Sequence, residues 1–490
     1  MSRFTGFIGP SYTLSSVNVD CQRCVNLYPE INEIGSGKEQ EIASLIGTPG
    51  LNLLVTVGAG PIRGAWKAAN GRAFVVSSNK LYELSSTFVA TERGTLGTVS
   101  GEVSMADSPA HLAVVDGTNE GLMLKFLDSS IAEIDFPDEV NLKPVAGVDQ
   151  VVFADGYFVY NNSGTGDFFI SGLYGSLIAD ETTIDPVDGR TVEGSPDILL
   201  GTAHYKQNLW LFGAQSTEIY YNSGNSDFPF ERVQGAYVEK GLAARFSIAQ
   251  LSDSIFWLGQ DNKGYGTVYM AEGFTPIRIS THAVETAIRG YSSISDARAY
   301  TYQDVGHSFY VLNFPTANTT WVFDTSTKLW HERCYTNQGT IERHRGNCHM
   351  YAFGKHVVGD YANGQIYEMA LGIYSDNGDA IKRMRTSPHI SSGLKRIFYD
   401  SFQLDVESGV GLDGLGFGTD PQVILEYSDD GGHSWSNEKW RALGKIGQTK
   451  RRAIWRRLGS ARDRVFRITI ADPVKVVLIG AELQMSRGAS

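Results

Sequence analysis

Short apolar runs that end in small or polar turn residues recur between about residues 60 and 370. Each is followed by a second short run rich in Tyr, Phe and Trp. The first runs are FVVSSN (74–79), LAVVDG (112–117), YFVYNN (157–162), LWLFGA (209–214), IFWLGQ (255–260), FYVLNF (309–314) and KHVVGD (355–360). The second runs are centred on Tyr82, Met123, Phe169, Tyr220, Tyr269, Trp321 and Tyr367. This pattern predicts repeated antiparallel hairpins.

The second runs are 41, 46, 51, 49, 52 and 46 residues apart, which is about the length of a four-stranded propeller blade. The sequence therefore predicts an all-β fold with a β-propeller-like region of six or seven blade-like units. A terminal strand can complete the first or the last unit. A pair of β-sandwiches is the alternative, because sandwiches also have short strands with frequent turns. The best helical pattern is residues 281–289, with Thr281 as its N-cap and Ala283, Val284, Ala287 and Ile288 on one apolar face.

The charge and the periodicity both change near residue 372. Residues 1–370 hold 24 Lys and Arg against 40 Asp and Glu, whereas residues 371–490 hold 18 against 14. We therefore predict a propeller-like domain at 61–371 and a C-terminal antiparallel β-domain at 372–490. Residues 1–60 are predicted to pack on the propeller or to complete it. An acidic insert interrupts the propeller pattern at 171–200.

The composition excludes several classes of protein. The 54 glycines and the 11% of aromatic residues are typical of a turn-rich β-protein. A net charge of −12 argues against a surface that binds nucleic acid or anionic lipid all round. Four cysteines are too few for a disulfide-rich secreted domain, and the first twenty residues lack the pattern of a signal peptide. No run of eighteen apolar residues occurs, so no membrane-spanning segment is predicted.

The sharpest local motif is SDDGGHSW, residues 428–435, which has the form of an Asp box. Its predicted role is that of a structural turn: Asp430 accepts backbone hydrogen bonds, Gly432 takes a positive φ and Trp435 packs on the hairpin, with Ser428 opening the motif. Sialidases carry the same motif, so a β-propeller glycan hydrolase or glycan-binding protein is the alternative function. A single copy outside the propeller is weak support for that alternative.

The thiols do not form a convincing metal site. Cys21 and Cys24 make a CxxC pair without a second pair nearby, and Cys334 and Cys348 lie close in sequence to His331, His344 and His349. Zinc requires four converging donors, so we expect ordinary buried thiols and no metal. No G-x-S-x-G, H-E-x-x-H or Walker motif is present. We therefore predict neither an enzyme nor a cofactor.

Two charged segments are candidate interaction sites. Eleven basic residues and one acid lie between Lys439 and Arg467. Strand alternation places Arg452, Ile454 and Arg456 on one face and Ala453, Trp455 and Arg457 on the other. Our hypothesis is a protein-docking surface formed by Arg451, Arg452, Trp455, Arg456 and Arg457, with Trp455 and Arg457 as its anchor. A solvated strand with outward-facing arginines and a contact with DNA phosphate are the alternatives. The acidic insert carries Asp180, Glu181, Asp185, Asp188, Glu193 and Asp197, and is either a solvated loop or an interaction surface.

Several segments in order along the chain resemble one known family. They are VNLYPE (25–30), TPGL (48–51), DILLGTAHYKQNLWLFGAQSTEIYY (197–221), EKGLAA (239–244), PIRISTHAVETAIRGY (276–291), FQLDVESGVG (402–411), PQVILEYSDDGGHSW (421–435) and RRAIWRRLGSARDRVFRITIADPVKVVLIGAEL (451–483). Together they resemble the packaged-DNA stabilisation proteins of short-tailed bacteriophages, the tail hub or nozzle subunits. The Cys21 and Cys24 pair departs from that family pattern.

The resemblance implies a structural protein of the virion tail that is assembled in the host cytoplasm. Proteins of this kind form homo-oligomeric, hexameric rings below the portal and its adaptor ring, prolong the DNA channel and retain the packaged genome. The implied partners are further copies of the chain, the adaptor ring, a tailspike or tail fibre, and a needle or plug protein. DNA would pass through the ring without sequence-specific binding, and an acidic wall suits such a conduit because it repels phosphate. In such a ring the acidic insert at 171–200 would face either the DNA channel or a tail appendage. The implied fold is a β-propeller with additional β-domains.

Overall fold

A computed structural model describes residues 2–32, 42–140, 143–173, 189–192, 197–251, 253–260, 263–393 and 395–488. Within them the chain forms seven successive units of four antiparallel strands, the last two of which belong to larger sheets, and a β-sandwich. The repeat predicted from sequence is thus a propeller with seven blades. No helix in these residues has the length and apolar content needed to cross a membrane.

The first four blades follow the repeat along the chain, and each consists of consecutive strands. Their strands are Ile62–Lys67, Ala73–Ser77, Lys80–Leu84 and Ala90–Thr95 (blade 1); Ser104–Asp107, His111–Val115, Glu120–Lys125 and Ile131–Asp135 (blade 2); Val151–Ala154, Tyr157–Asn161, Asp167–Ile170 and Gly189–Thr191 (blade 3); and Leu199–Tyr205, Asn208–Gly213, Thr217–Asn222 and Phe230–Val238 (blade 4). Glu139–Val140 and Lys143–Pro144 form a small extra hairpin.

The last three blades include the strand that closes the ring. Their strands are Ala249–Leu251, Ser254–Gln260, Gly266–Glu272 and Thr275–Arg278 (blade 5); Arg298–Asp304, His307–Phe314, Thr319–Asp324 and Leu329–Asn337 (blade 6); and Gly346–Ala352, Lys355–Asp360, Gln365–Ala370 and Gly50–Thr56 (blade 7). Gly50–Thr56 comes from the N-terminal segment and pairs antiparallel with Gln365–Ala370.

Local sequence explains why the runs form tight hairpins. Asp155 and Gly156 both have positive φ, 47° and 97°, between two strands of blade 3. Phe353 and Gly354 also have positive φ, 53° and 78°, between two strands of blade 7. Two successive positive φ values give a turn whose twist matches that of the strands it joins. The predicted helix is confirmed at His282–Arg289, where the Thr281 hydroxyl accepts a hydrogen bond from the backbone N–H of Val284.

The C-terminal region packs as two sheets around one core. One sheet contains Ala453–Arg456, Ile397–Val406, Val477–Arg487, Ile42–Gly47 and Leu27–Ile31 in spatial order, with Ser2–Arg3 and Ser460–Ala461 at its sides. The other contains Cys24–Val25, Arg383–Thr386, Asp463–Ile470, Gln422–Ser428 and Lys439–Ala442, with Ile390–Ser391 on Asp463–Ile470. Phe402, Trp455 and Phe466 are buried together between the sheets.

The propeller and the sandwich share a continuous sheet. Cys24–Val25 lies between Leu329–Asn337 of blade 6, to which it is parallel, and Arg383–Thr386 of the sandwich. Thr340–Arg343 also pairs with the blade 6 strand. On the neighbouring blade, Ser375–Asp376 pairs with both Gly50–Thr56 and Asp379–Ala380. Backbone hydrogen bonds therefore run without a break from one domain to the other.

A buried arginine fixes the N-terminal segment in that junction. The Arg385 guanidinium is fully buried and donates to the carbonyl oxygens of Phe7 at 2.6 Å and Pro10 at 2.8 Å, and to Gln22 Oε1 at 2.6 Å. Burial lowers the pKa of Arg385 to about 10. These oxygen acceptors replace the water molecules that the guanidinium loses on burial.

Candidate functional site

The basic stretch lies at one open edge of the sandwich. The edge strand Lys439–Ala442 of one sheet and the edge strand Ala453–Arg456 of the other lie side by side. Arg441 Nε donates to the Ile454 carbonyl oxygen at 2.9 Å, and Trp455 Nε1 donates to the Lys439 carbonyl oxygen at 2.7 Å. These two bonds link the edge strands of the two sheets, and the exposed basic side chains lie on the outside of this edge.

Trp455 contributes to this edge from inside the protein. Its side chain is 1% exposed and packs against Phe402 at a ring separation of 5.9 Å. Arg452 and Arg456 point outward, as the alternation predicts. The strand ends at Arg456, and Arg457 takes a φ of 59° with its side chain exposed, so Arg457 does not share the buried face of Trp455. Trp455 can therefore support a docking surface but cannot touch a partner.

The basic residues divide into internal and external sets. Arg464 is buried and pairs with Asp429 at 2.6 and 2.7 Å, and Arg467 pairs with Glu426 at 2.8 Å over each of two bonds. In the part of the chain that the structure describes, no carboxylate forms an ion pair with the four exposed arginines of the predicted docking set, Arg451, Arg452, Arg456 and Arg457. These four arginines are available to an external anion.

The Asp box has the geometry of a structural turn. Asp430 accepts from the Ser434 backbone N–H at 2.9 Å, and the Ser428 hydroxyl accepts from the Gly432 N–H at 2.7 Å. Gly432 has a φ of 100°, and the hydrogen bonds from Ser434 hold the pKa of Asp430 well below its usual range. The Trp435 ring stacks under the Arg467 guanidinium at 3.9 Å. These contacts join the turn to the neighbouring strand.

Most of the predicted acidic insert lies outside the described residues, including Asp180, Glu181, Asp185, Asp188 and Glu193. Asp197 is described. Its carboxylate accepts from the backbone N–H groups of Ala214, Gln215 and Ser216 at 3.0, 2.7 and 2.9 Å. Asp197 therefore holds the turn between two strands of blade 4.

The first strands of all seven blades line a central cavity of about 610 Å³. Arg298 pairs with Glu102 across it, and Arg245 pairs with Asp149. Arg63 donates to the carbonyl oxygens of four residues, Ser78, Thr98, Ser100 and Gly101, at 2.7–2.9 Å. The volume is that of a small-molecule pocket and is far too small for a DNA duplex.

Sequence reasoning missed a Cys–His–Asp constellation beneath the Asp box. Cys21 Sγ lies 3.8 Å from His389 Nε2, and His389 Nδ1 lies 2.7 Å from Asp463. However, His389 Nε2 also lies 2.8 Å from the Val17 carbonyl oxygen, which can only accept, so this nitrogen carries a proton. Burial raises the pKa of Cys21 to about 11. The imidazole therefore cannot accept the thiol proton, and Cys21 is not activated as a nucleophile. These contacts instead hold the N-terminal segment against the sandwich.

All four cysteines are free thiols. Burial raises the pKa values of Cys24, Cys334 and Cys348 to about 12 each. Cys24 Sγ donates to the Leu27 carbonyl oxygen at 3.2 Å, and Cys334 Sγ accepts from the Asn26 side-chain amide at 3.1 Å. Among the residues with described positions, no group of three or more His, Cys, Asp or Glu is arranged to hold a metal ion.

Two family models match the two domains in order. The Bacteriophage P22 Gp10 β-propeller matches residues 20–374, and the Bacteriophage P22 Gp10 β-sandwich matches residues 382–486. The chain belongs to the Bacteriophage P22 Gp10 family. The family resemblance and the all-β fold predicted from sequence are confirmed. As a member of the Gp10 family, the chain is a structural protein of a phage tail.

Solved structures with a similar architecture include the WD40 β-propeller domain of Doa1, at 12% identity and a TM-score of 0.41, over 66% of this chain and 97% of that one. The computationally designed protein Ika8 matches at 11% identity and a TM-score of 0.36, over 65% of this chain and 99% of that one. No curated protein matches the chain.

Proposed function

We propose that this Gp10-family chain is a tail hub or nozzle subunit. It extends the DNA channel below the portal and its adaptor ring, retains the packaged genome and supports a tailspike or fibre and a needle or plug. The observation that carries the proposal is the pair of family matches, which together span both the propeller and the sandwich. The chain acts by assembly and has no catalytic role.

The size of the propeller cavity determines where DNA passes. A duplex does not fit through a cavity of about 610 Å³, so a single propeller does not encircle the genome. The channel must instead be bounded by several copies that stand around a common axis, and six copies continue the symmetry that the family resemblance implies. A net charge of −12 per copy favours passage of DNA, because an acidic wall does not hold phosphates by releasing their counterions.

The exposed basic edge of the sandwich supplies a docking surface. Arg451, Arg452, Arg456 and Arg457 have no carboxylate partner in the described part of their own chain, and guanidinium groups bind protein carboxylates through two parallel bonds. An acidic surface of the adaptor ring or of another copy fits this edge. The acidic insert at 171–200 faces the DNA channel or a tail appendage.

The test is image averaging of purified tails in which this chain carries a label. Sixfold density around the tail axis, between the adaptor and the distal needle, is expected. A single labelled copy at one position on the capsid would refute the proposal. The glycan hydrolase alternative makes the opposite prediction, namely turnover of a surface glycan by the isolated chain.

A further inference from the structure

We propose that the tip of the sandwich of one copy docks into a groove on blade 4 of the next copy in the ring. This inference rests on the proposed function and names a partner for the end of the basic sandwich edge that carries Arg451. Each chain carries both surfaces at different places, so the contact joins unlike surfaces and can repeat around a closed ring.

The sandwich tip consists of two cross-tied loops, residues 407–421 and 443–452. Gly447 N–H donates to the Gly409 carbonyl oxygen at 3.1 Å, and the Ser408 hydroxyl donates to the Thr449 carbonyl oxygen at 2.8 Å. A side chain at Gly411 would meet the backbone of the second loop at about 3.0 Å. The two loops are therefore packed directly against each other.

Large apolar side chains project from this tip. Leu415 is fully exposed, Phe417 is 65% exposed and Ile446 is 62% exposed. Lys445, Lys450 and Arg451 are exposed on the second loop, and Asp413 and Asp420 are exposed on the first. A patch of apolar side chains with an excess of cations is typical of a protein interface, because a monomer gains nothing from exposing it.

The proposed docking groove lies at an irregular edge of blade 4. In its outer strand, Phe230–Val238, the pairing steps from Arg232 opposite Tyr220 to Tyr237 opposite Glu218, so the intervening residues bulge away from the sheet. The bulge and residues 274–276 of blade 5 line an open groove of about 620 Å³. Tyr237 and Phe274 line this groove and are 42% and 41% exposed.

The charges at the groove are opposite to those at the tip. Glu239 and Lys240 both line the groove, and Glu231 and Glu272, each two residues before a lining segment, are exposed. The other nearby cation, Arg232, already lies 3.8 Å from the buried Glu218. Acidic and aromatic groups thus face a basic and apolar tip, which is the combination that gives both affinity and register at an interface.

The groove lies away from the sandwich of its own chain. The sandwich joins the propeller at blades 6 and 7, through Cys24–Val25 and Ser375–Asp376, whereas the groove is formed mainly by blade 4. We therefore take the occupant of the groove to be the basic and apolar sandwich tip of a neighbouring copy. A tail appendage protein in the groove is the competing outcome of the test.

Cross-linking in assembled tails tests the contact. Chains that carry both Tyr237→Cys and Phe417→Cys, treated with a short bismaleimide, are expected to give a ladder of covalent multimers on a denaturing gel. Each single substitution should give no ladder. The matched control is Leu127→Cys with Phe417→Cys, because Leu127 is 87% exposed on blade 2 and lies outside the groove.

Charge exchange provides a second measurement. Glu239→Lys and Lys445→Glu should each reduce incorporation into tails at least tenfold, and the two together in one chain should restore it. Two outcomes would overturn this inference and leave the proposed function intact. In the first, the double-cysteine chains enter tails but form no ladder; in the second, they cross-link only to a different tail protein. Absence of the wild-type chain from tails would instead refute the proposed function.

Discussion

Replacing Trp455 by alanine is expected to destabilise the sandwich, although this residue belongs to the predicted docking segment. The ring is 1% exposed and packs against Phe402, and Nε1 donates to the Lys439 carbonyl oxygen at 2.7 Å. Truncation of a buried Trp costs about 3–5 kcal/mol, and loss of the hydrogen bond adds about 1 kcal/mol. We therefore expect the free energy of unfolding to fall by roughly 4–6 kcal/mol, since both losses occur at one site.

Chemical denaturation of the full chain, followed by tryptophan fluorescence and far-UV circular dichroism, measures this effect. Arg456→Ala is the matched control, because the adjacent arginine is exposed and its removal should change stability by less than about 0.5 kcal/mol. The expectation for tail assembly is reversed: Arg456→Ala should weaken incorporation while leaving the fold intact. A Trp455→Ala chain as stable as wild type would show that the ring is not part of the core.

Two further predictions concern charge. The hydrogen bonds of His307 to Asp324 and Glu30 raise the pKa of its imidazole to about 9. The protonated His307 therefore stabilises the folded state fully below pH 6.5, and this stabilisation is lost as pH rises through 9. Denaturation of wild type should show a loss of roughly 3 kcal/mol across this window, and a His307→Gln chain should lack that slope; equal slopes would contradict the assignment. Lysines in the acidic insert should slow DNA exit in an ejection assay if the insert lines the channel, and unchanged ejection would place it elsewhere. The substitutions are Asp180→Lys, Glu181→Lys, Asp185→Lys and Asp188→Lys.

Local signals in the sequence were sufficient for the hairpins, the helix and the Asp-box turn. Each depends on residues close together in the chain, such as Asp155 with Gly156, or Thr281 with the N–H of Val284. The number of blades was not accessible in this way. It depends on Gly50–Thr56 pairing with a strand about 300 residues later, and periodicity does not report such pairing.

The site was predicted less completely than the fold. Alternation gave the outward faces of Arg452 and Arg456, but it assigned Arg457 to the face of Trp455, because the strand end after Arg456 has no marker in the sequence. Alternation therefore predicts one surface that holds the aromatic ring and the arginines, whereas the ring belongs to the core. The Cys21, His389 and Asp463 arrangement was missed because its members are spread over more than 400 residues.

The shared sheet at the domain junction imposes an order on the biosynthesis of this chain. Cys24–Val25 leaves the ribosome early, yet one of its neighbours, Leu329–Asn337, follows some 300 residues later, and the other, Arg383–Thr386, later still. Ser2–Arg3 waits for Val477–Arg487, which follows more than 470 residues later. Until those segments have been translated, the nascent N-terminal strands carry edges with no native partner, which are prone to pairing with other chains. Blades 1–5 can form while translation continues, but the junction can close only after Arg383–Thr386 has been translated, so its closure is the natural slow step of folding and the stage at which a chaperone has most to protect.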